Sequence, residues 1–221
     1  MKKSKRVKKS NSWKIKQHRD QFFKNSKTLV FRSRYAFKLI DLNKKFKFIK
    51  KNTNLLDLGS FPGGWTQVAN QIIKGGKIMS IDIREMEPIN NVNFVKGNIL
   101  ESKIKNKINS YFVAKLDVIL SDMAADTTGS KSLDSIRTNQ LCADVISFSK
   151  ETLKPRGVLI SKLFMGEDFL EVKNLAKSIF KNVNFFKPES SRKESKETYL
   201  HCEILKSLKI FIIVYKCLWK Q

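Results

Sequence analysis

A glycine-rich segment, Asp57–Trp65 with the sequence DLGSFPGGW, follows directly on a short apolar run. Its glycines, Gly59, Gly63 and Gly64, let the backbone approach a bound ligand closely and turn sharply into a helix. Open α/β sheets bind nucleotides at such turns. The segment lacks the GxGxxG pattern of dinucleotide sites, and a plain strand-to-helix turn is the alternative. A second acid, Asp82, ends the next apolar run, where it suits the ribose hydroxyls of an adenosine-type cofactor.

Two further side chains stand where strands could present them to a ligand. Lys162 lies within the apolar run VLISKLF, and Asp122 ends the run LDVILSD. A lysine can act as a base if burial or neighbouring cations bring its pKa toward neutrality, and a nearby carboxylate can orient it. A solvated strand face is the more ordinary place for such a lysine, and Asp122 could equally belong to a turn. The local sequence leaves both interpretations open.

The elements that would position these side chains alternate along the chain. The spacing predicts a helix from about Ser33 to Lys47, with Ser33 as its N-cap. Further helices are predicted from about residue 65, at 135–153 and near 169–180, a turn at 155–157, and strands at 54–59, 77–82, 92–95, 116–122, 158–164, 183–186 and 199–205. The pattern predicts a Rossmann-like α/β fold with a mostly parallel central sheet and helices on both faces. We expect one domain at 31–205, a basic arm at 1–30 and an extension at 206–221.

The net charge of +24, from 44 Lys and Arg against 20 Asp and Glu, favours a polyanionic partner. The alternative explanation is an AT-rich genome, whose proteins are generally rich in lysine, but that bias would be even along the chain. Residues 1–34 instead hold 13 Lys or Arg and one acid, Asp20, and so supply +12 of the charge. This clustering favours nucleic acid as the partner.

Cysteine usage and hydropathy indicate the compartment. Cys142, Cys202 and Cys217 are scattered and form no CxxC pair, which argues for a reducing compartment and against a disulfide framework or a zinc site. The basic N-terminus is not followed by the apolar stretch of a secretory signal. The apolar run Ile210–Tyr215 is far shorter than the ~20 residues that span a bilayer. We therefore expect a cytoplasmic protein that binds neither membrane nor metal.

Five segments spread over residues 30 to 203 resemble one known family: SRYAFKL, DLGSFPGGW, SDMAAD, SKLF and SKETY. The chain is similar to the FtsJ/RrmJ family of RNA 2′-O-methyltransferases. It most resembles the bacterial branch, which methylates a uridine of the large-subunit ribosomal RNA. The resemblance implies S-adenosylmethionine as cofactor and a methyltransferase form of the Rossmann-like fold.

The resemblance also assigns site residues. It implies a catalytic tetrad of Lys38, Asp122, Lys162 and Glu197. Lys162 would be the general base on the 2′-OH, and Asp122 would lie near the cofactor's methyl group. Lys38 and Glu197 would position the ribose, although alone they look like an exposed helix lysine and a loop acid. The implied cofactor-binding residues are Gly63, Trp65, Asp82, Asn98 and Asp122.

The sequence departs from the family pattern in three places. Asn98 stands where the family has Asp beside the adenine, but its amide oxygen can still accept a hydrogen bond. Ala125 and Asp126 replace Pro-Asn after Asp122, and the chain continues past the family's usual end. Since all four tetrad residues are present, we expect a working enzyme.

The implied function is methyl transfer to a uridine 2′-OH of 23S ribosomal RNA, in the 50S particle during ribosome maturation, by a monomer. The alternatives are methylation of transfer RNA or capped messages, and a non-catalytic RNA-binding assembly factor. An assembly factor would have no need of a buried lysine.

Overall fold

The computed structural model describes residues 31–166 and 168–206. In this part of the chain seven strands form one sheet and five helices cover it. The elements are α1 Ala36–Phe46, β1 Leu55–Leu58, α2 Gly64–Ile72, β2 Ile78–Asp82, β3 Val92–Lys96, α3 Ser102–Phe112, β4 Leu116–Ser121, α4 Lys131–Thr152, β5 Leu153–Phe164, α5 Phe169–Ile179, β6 Phe180–Phe186 and β7 Glu197–Leu205. The predicted arm at 1–30 and the apolar run Ile210–Tyr215 lie outside the described residues.

The strand order is β3-β2-β1-β4-β5-β7-β6. β7 runs antiparallel to β5 and β6, whereas the pairs among β1 to β5 are parallel. The predicted mostly parallel α/β sheet is confirmed. Each face of the sheet carries its own apolar core, because successive side chains of a strand point to opposite faces. On β1, for example, Leu55 packs in one core, and Leu56 and Leu58 pack in the other.

The chain reverses its direction of travel across the sheet between β1 and β4. From β1 it adds β2 and β3 on one side, and β4 and β5 lie on the other. Loops leaving the carboxyl ends of such strands diverge and open a crevice for ligands. Leu58 of β1 is in register with Ser121 of β4, and Asp122 N–H donates to Leu58 O at 3.2 Å. The glycine-rich loop and Asp122 therefore leave the sheet side by side.

Two local predictions are wrong. Ser33 does not cap α1: the helix begins at Ala36, and the hydroxyl of Ser33 has no hydrogen-bond partner. Instead, the Ser33 carbonyl accepts from Ala36 N–H. The predicted turn at 155–157 lies inside β5. Leu116 pairs with Leu153 and the next pair is Val118 with Val158, so 154–157 oppose Asp117 alone. Such a bulge accommodates a proline that a regular ladder would reject.

Two helices differ from the predicted pattern. α3 was not predicted, because its sequence SKIKNKINSYF is mostly polar. Its buried residues Ile104, Ile108 and Phe112 nevertheless recur every four positions, as on one face of a helix. α4 begins at Lys131, four residues before the predicted start, with the Ser130 hydroxyl accepting from Leu133 N–H.

Within 31–166 and 168–206 no helix combines the length and the apolar character that crossing a membrane requires. Cys142 and Cys202 are buried free thiols, and Cys217 lies outside the described ranges. The same ranges contain no group of His, Cys, Asp and Glu side chains suited to hold a metal ion.

Candidate active site

The structure brings Lys38, Asp122, Lys162 and Glu197 together at the carboxyl ends of the central strands. Lys162 Nζ lies 2.8 Å from Asp122 Oδ1, and Lys38 Nζ lies 2.7 Å from Glu197 Oε1. The four side chains are between 3% and 11% exposed. Buried charges are costly unless they are paired, so this arrangement holds two ion pairs that solvent hardly reaches.

The antiparallel pairing of β5 with β7 determines which side chains share the site. Lys162 is in register with Tyr199, and Phe164 with Glu197. Side chains two residues apart on a strand share a face. Lys162 therefore points to the same face as Ile160, which packs in the core beneath α1 and α2. α1 brings Lys38 to this face from the far end of the sequence.

Asp122 accepts hydrogen bonds from two partners. Lys162 Nζ and Tyr199 Oη both donate to its Oδ1, the latter at 2.6 Å, and Lys162 Nζ also donates to the Asp122 backbone carbonyl at 2.9 Å. Burial alone would raise the pKa of Asp122. The nearby ammonium groups of Lys162 and Lys38, with these hydrogen bonds, outweigh burial and lower it. Asp122 is therefore ionised and accepts hydrogen bonds from cationic or neutral donors.

The two lysines differ in how burial and charge balance. Burial would lower the pKa of Lys162, but its attraction to and hydrogen bond with Asp122 outweigh burial, so the pKa is raised. For Lys38, burial is the largest influence and the anions Asp122 and Glu197 only partly offset it, so its pKa is lowered. A general base requires a lowered pKa, and in this arrangement the pKa of Lys162 is raised instead. The charges around Lys162 must therefore change before it can accept a proton.

Aromatic rings form one wall of the cluster. Tyr199 is fully buried and its ring lies 5.5 Å from that of Trp65, whose indole N–H donates to Tyr35 O at 2.8 Å. Lys38 Nζ lies 4.6 Å from the Tyr35 ring centroid. Tyr199 is not among the site residues that the sequence predicts. Its signal was the period-two spacing from Glu197, which places both side chains on the face that carries Lys162.

The glycine-rich loop forms a cradle beside this cluster. Gly59 and Gly63 have φ of 71° and 108°, in the left-handed region that favours glycine. A Cβ on Gly59 would lie 2.6 Å from Met123 Cγ, and one on Gly64 would lie 2.5 Å from Ser33 Oγ. Side chains at these positions would collide with Met123 and Ser33, so the close packing of the loop requires glycine.

Unsatisfied polar atoms around the loop fit a cofactor with both charged and hydroxyl groups. Asp57 Oδ1, Ser60 Oγ and Ser33 Oγ are buried without a hydrogen-bond partner, which is rare in folded proteins. Burial first, and then the carboxylates of Asp122 and Asp82, raise the pKa of Asp57 to about 7. An ammonium group can donate to Asp57, and hydroxyls can donate to a carboxylate, so the amino-acid end of S-adenosylmethionine matches these atoms.

The remaining predicted cofactor residues lie at the ends of β2 and β3. Asp82 Oδ2 accepts from Phe61 N–H at 2.9 Å and its Oδ1 from Arg84 N–H at 2.8 Å. Asp82 thereby ties the glycine-rich loop to β2 while keeping lone pairs for ribose hydroxyls. Asn98 is exposed and its Oδ1 accepts from Leu100 N–H at 3.0 Å. A second lone pair on this oxygen leaves it able to accept from an adenine amine.

The loop after Asp122, where the sequence departs from the family pattern, is held by α4. Ala125 N–H donates to Thr138 Oγ1 at 3.2 Å, and Arg137 donates to the carbonyl of Asp126 at 3.5 Å. The first bond needs the backbone N–H of Ala125, which a proline at this position would lack, so the exchange adds this support. The second bond uses only the backbone carbonyl of residue 126.

Comparisons with known proteins show the family of the chain. The family model of FtsJ-like methyltransferases matches residues 31–204. Ribosomal RNA large subunit methyltransferase E of Pelagibacter ubique is 43% identical over 197 residues, covering 89% of this chain and 97% of that protein. The Rickettsia akari protein of the same name is 42% identical over 202 residues, covering 89% of each.

The fold of the chain is also similar to that of a solved methyltransferase structure. The crystal structure of a ribosomal RNA methyltransferase from Plasmodium falciparum superposes with a TM-score of 0.72 at 34% identity, covering 79% of this chain and 98% of that one. The predicted family, fold class and cofactor, S-adenosylmethionine, are thereby confirmed. The chain belongs to the family of FtsJ-like methyltransferases.

Proposed function

We propose that this methyltransferase transfers a methyl group from S-adenosylmethionine to the ribose 2′-OH of a uridine in large-subunit (23S) ribosomal RNA. The observation that carries the proposal is the buried Lys162–Asp122 pair beside the glycine-rich loop. The pair provides a proton acceptor and an anion at one point of a cofactor crevice. The names of the relatives from Pelagibacter ubique and Rickettsia akari support the ribosomal substrate.

Lys162 is the proposed general base. When bound, S-adenosylmethionine supplies an electrophilic methyl group on a positively charged sulfonium. Lys162 is held as an ammonium chiefly by Asp122, so a second positive charge near that carboxylate weakens the hold and lowers the pKa of Lys162. Lys162 can then release its proton to solvent and accept that of the 2′-OH as this oxygen bonds to the methyl group. Deprotonation of the base is thus linked to binding of the cofactor.

The Lys38–Glu197 pair has a supporting role in this proposal. Lys38 lies close enough to Asp122 for its positive charge to help lower the pKa of that carboxyl, and the charge of Lys162 helps lower the pKa of Lys38. Glu197 offers carboxylate oxygens to ribose hydroxyls at the mouth of the site, where its side chain is 11% exposed. We propose that the pair orients the ribose so that the 2′-oxygen faces the methyl group. Holding the two reacting atoms in line lowers the barrier to transfer.

The other proposed assignments concern the cofactor, the RNA and the assembly state. Gly63, Trp65, Asp82, Asn98 and Asp122 are proposed to hold the cofactor. The basic arm at 1–30 is proposed to contact RNA phosphates around the target, in keeping with the net charge of +24. We propose that the protein acts as a monomer on the 50S particle in the cytoplasm, during maturation of the subunit.

The test uses the full-length protein with S-adenosylmethionine labelled in its methyl group. Large ribosomal subunits come from a strain that lacks the enzyme, and transfer RNA and free 23S RNA serve as parallel substrates. The proposal predicts label on one uridine ribose of the large subunit and little on transfer RNA. Label on transfer RNA alone, label on a base, or RNA binding without any transfer would each refute the proposed activity.

A further inference from the structure

The ion pair between Lys38 and Glu197 depends on two segments that are far apart in the sequence. Lys38 belongs to α1, and Glu197 begins β7 immediately after the connection from β6, residues 187–196. Their charged atoms nevertheless lie 2.7 Å apart in a nearly dry environment. The pairing of β7 with β5 holds one side of this connection. Contacts with α1 hold the other side, since an ion pair alone is a weak tether.

Asp41 makes that docking contact. Its Oδ2 accepts two hydrogen bonds from Ser190, one from the backbone N–H at 3.0 Å and one from the hydroxyl at 2.7 Å. Ser190 is only 1% exposed. Asp41 follows Lys38 by three positions on α1, so the two side chains lie on the same face of the helix. The Asp41–Ser190 contact and the Lys38–Glu197 pair are therefore neighbours along one edge of α1.

Arg34 holds the same residue from the other side. Its guanidinium donates to the carbonyl of Ser190, and the turn that contains Arg34 leads directly into α1 through backbone bonds from Phe37 and Lys38. The backbone N–H, the hydroxyl and the carbonyl of Ser190 are thus all bonded to α1 or its leading turn.

The connection itself is stiffened between Ser190 and Glu197. Lys187 Nζ donates to the carbonyls of Lys193 at 3.2 Å and Ser195 at 2.7 Å, and Glu197 N–H donates to Ser195 Oγ at 3.2 Å. Met165 N–H at the end of β5 donates to Lys196 O at 3.0 Å. The connection is thus held internally by Lys187 and Ser195, and its end at Lys196 is anchored on β5.

We propose that Asp41 is a positioning residue of this methyltransferase: by holding Ser190 against α1 it fixes Glu197 beside Lys38 and so sets the geometry in which the ribose is bound. The inference rests on the proposed function for its catalytic consequence, while the docking itself is independent of it. Asp41 touches neither Lys162 nor Asp122 in the structure, so its effect passes through Ser190 and Glu197.

The test compares Asp41→Ala with Asp41→Asn in the full-length protein. The asparagine keeps an acceptor oxygen at the same place, whereas alanine removes it. We expect Asp41→Ala to lower kcat by about 10- to 100-fold, as misplacement on the scale of 1 Å does, with the Kd of S-adenosylmethionine nearly unchanged. Asp41→Asn should recover most of that loss. Asp117→Ala is the matched control, because it breaks an ion pair with Lys154 and a bond from Asn54 N–H at the opposite ends of the strands.

Two further readouts separate positioning from a general loss of structure. In the background of Glu197→Ala, the Asp41→Ala change should cause no further loss of kcat, because both act through the same carboxylate. Amide hydrogen exchange of residues 188–197 should be faster in Asp41→Ala and unchanged in Asp117→Ala. This measurement needs no activity, so it tests the docking even if the protein methylates none of the RNAs offered.

The proposal is overturned if Asp41→Ala keeps the wild-type kcat, if its loss adds in full to that of Glu197→Ala, or if Asp41→Asn is as slow as Asp41→Ala. It is equally overturned if exchange of residues 188–197 does not change. Wild-type protein that is inactive on every RNA would instead refute the proposed function and leave the exchange result to decide on the docking.

Discussion

Replacing Asp57 with Asn should remove a pH dependence of folding stability that the buried carboxyl group imposes. Asp57 is 1% exposed; its Oδ2 accepts from Thr66 Oγ1 at 2.5 Å, and its Oδ1 has no partner. Burial, followed by the charges of Asp122 and Asp82, raises its pKa from 3.8 to about 7. The native protein therefore holds a proton on Asp57 over a pH range in which the unfolded chain has released it.

The sign and size of the effect follow from proton linkage. Between about pH 4 and pH 7 the native state binds the extra proton, so stability from this group is present at low pH and is lost as the pH rises. Each pH unit costs at most about 1.4 kcal/mol, so a shift of about three units amounts to a loss on the order of 4 kcal/mol above pH 7. Asparagine has no proton to release and shows no such loss.

The assay is urea unfolding of the cofactor-free protein between about pH 5 and pH 8. The free energy of unfolding of Asp57→Asn minus that of the wild type should increase with pH up to about pH 7 and level off above it, whatever constant cost the amide brings. Asp117→Asn, which changes a carboxyl paired with Lys154, is the control and should show no comparable trend. A difference for Asp57→Asn that stays constant across this pH range would refute the conclusion that the carboxyl is protonated in the folded state.

Three other changes give simpler tests. Tyr199→Phe removes the hydroxyl that donates to Asp122; a bond to a charged group contributes about 1.5–3 kcal/mol, so single-turnover transfer should slow by at least about tenfold, and an unchanged rate would contradict this role. Gly59→Ala places a Cβ 2.6 Å from Met123 Cγ at a φ of 71°; calorimetry should show weaker cofactor binding, and wild-type affinity would contradict the cradle. Removing residues 1–30 should weaken RNA binding and flatten its dependence on salt; an unchanged slope would mean that the arm makes no phosphate contacts.

The fold was largely predictable because its strands are short apolar runs separated by glycine and by polar helices. Where the pattern was diluted, prediction failed. In α3 only three of eleven residues, Ile104, Ile108 and Phe112, form the buried face. The other eight are mostly polar, so the helical apolar pattern is weak. The turn predicted at Pro155 is a bulge in β5, and local sequence cannot distinguish the two because the partner strand is more than thirty residues away.

The candidate site was less predictable, because its geometry is non-local. Lys38 and Glu197 look like ordinary surface residues in their own segments, and only the pairing of β7 with β5 and the packing of α1 bring them within 2.7 Å. Family resemblance supplied these two residues, and nothing in their local spacing would have done so. The protonation state of Lys162 was also out of reach, since it depends on how closely Asp122 approaches. Asp41 and Ser190 likewise meet across 149 positions.

The central claim is that Lys162 takes the proton of the ribose hydroxyl at a site whose other residues hold the cofactor. Its most direct test is Lys162→Ala, with methyl transfer to large ribosomal subunits and cofactor affinity measured on the same preparation. The account predicts that transfer is abolished while S-adenosylmethionine binds at least as tightly as to the wild type, because the variant removes a positive charge near the sulfonium. A parallel loss of transfer and cofactor binding, or transfer that survives without Lys162, would contradict it.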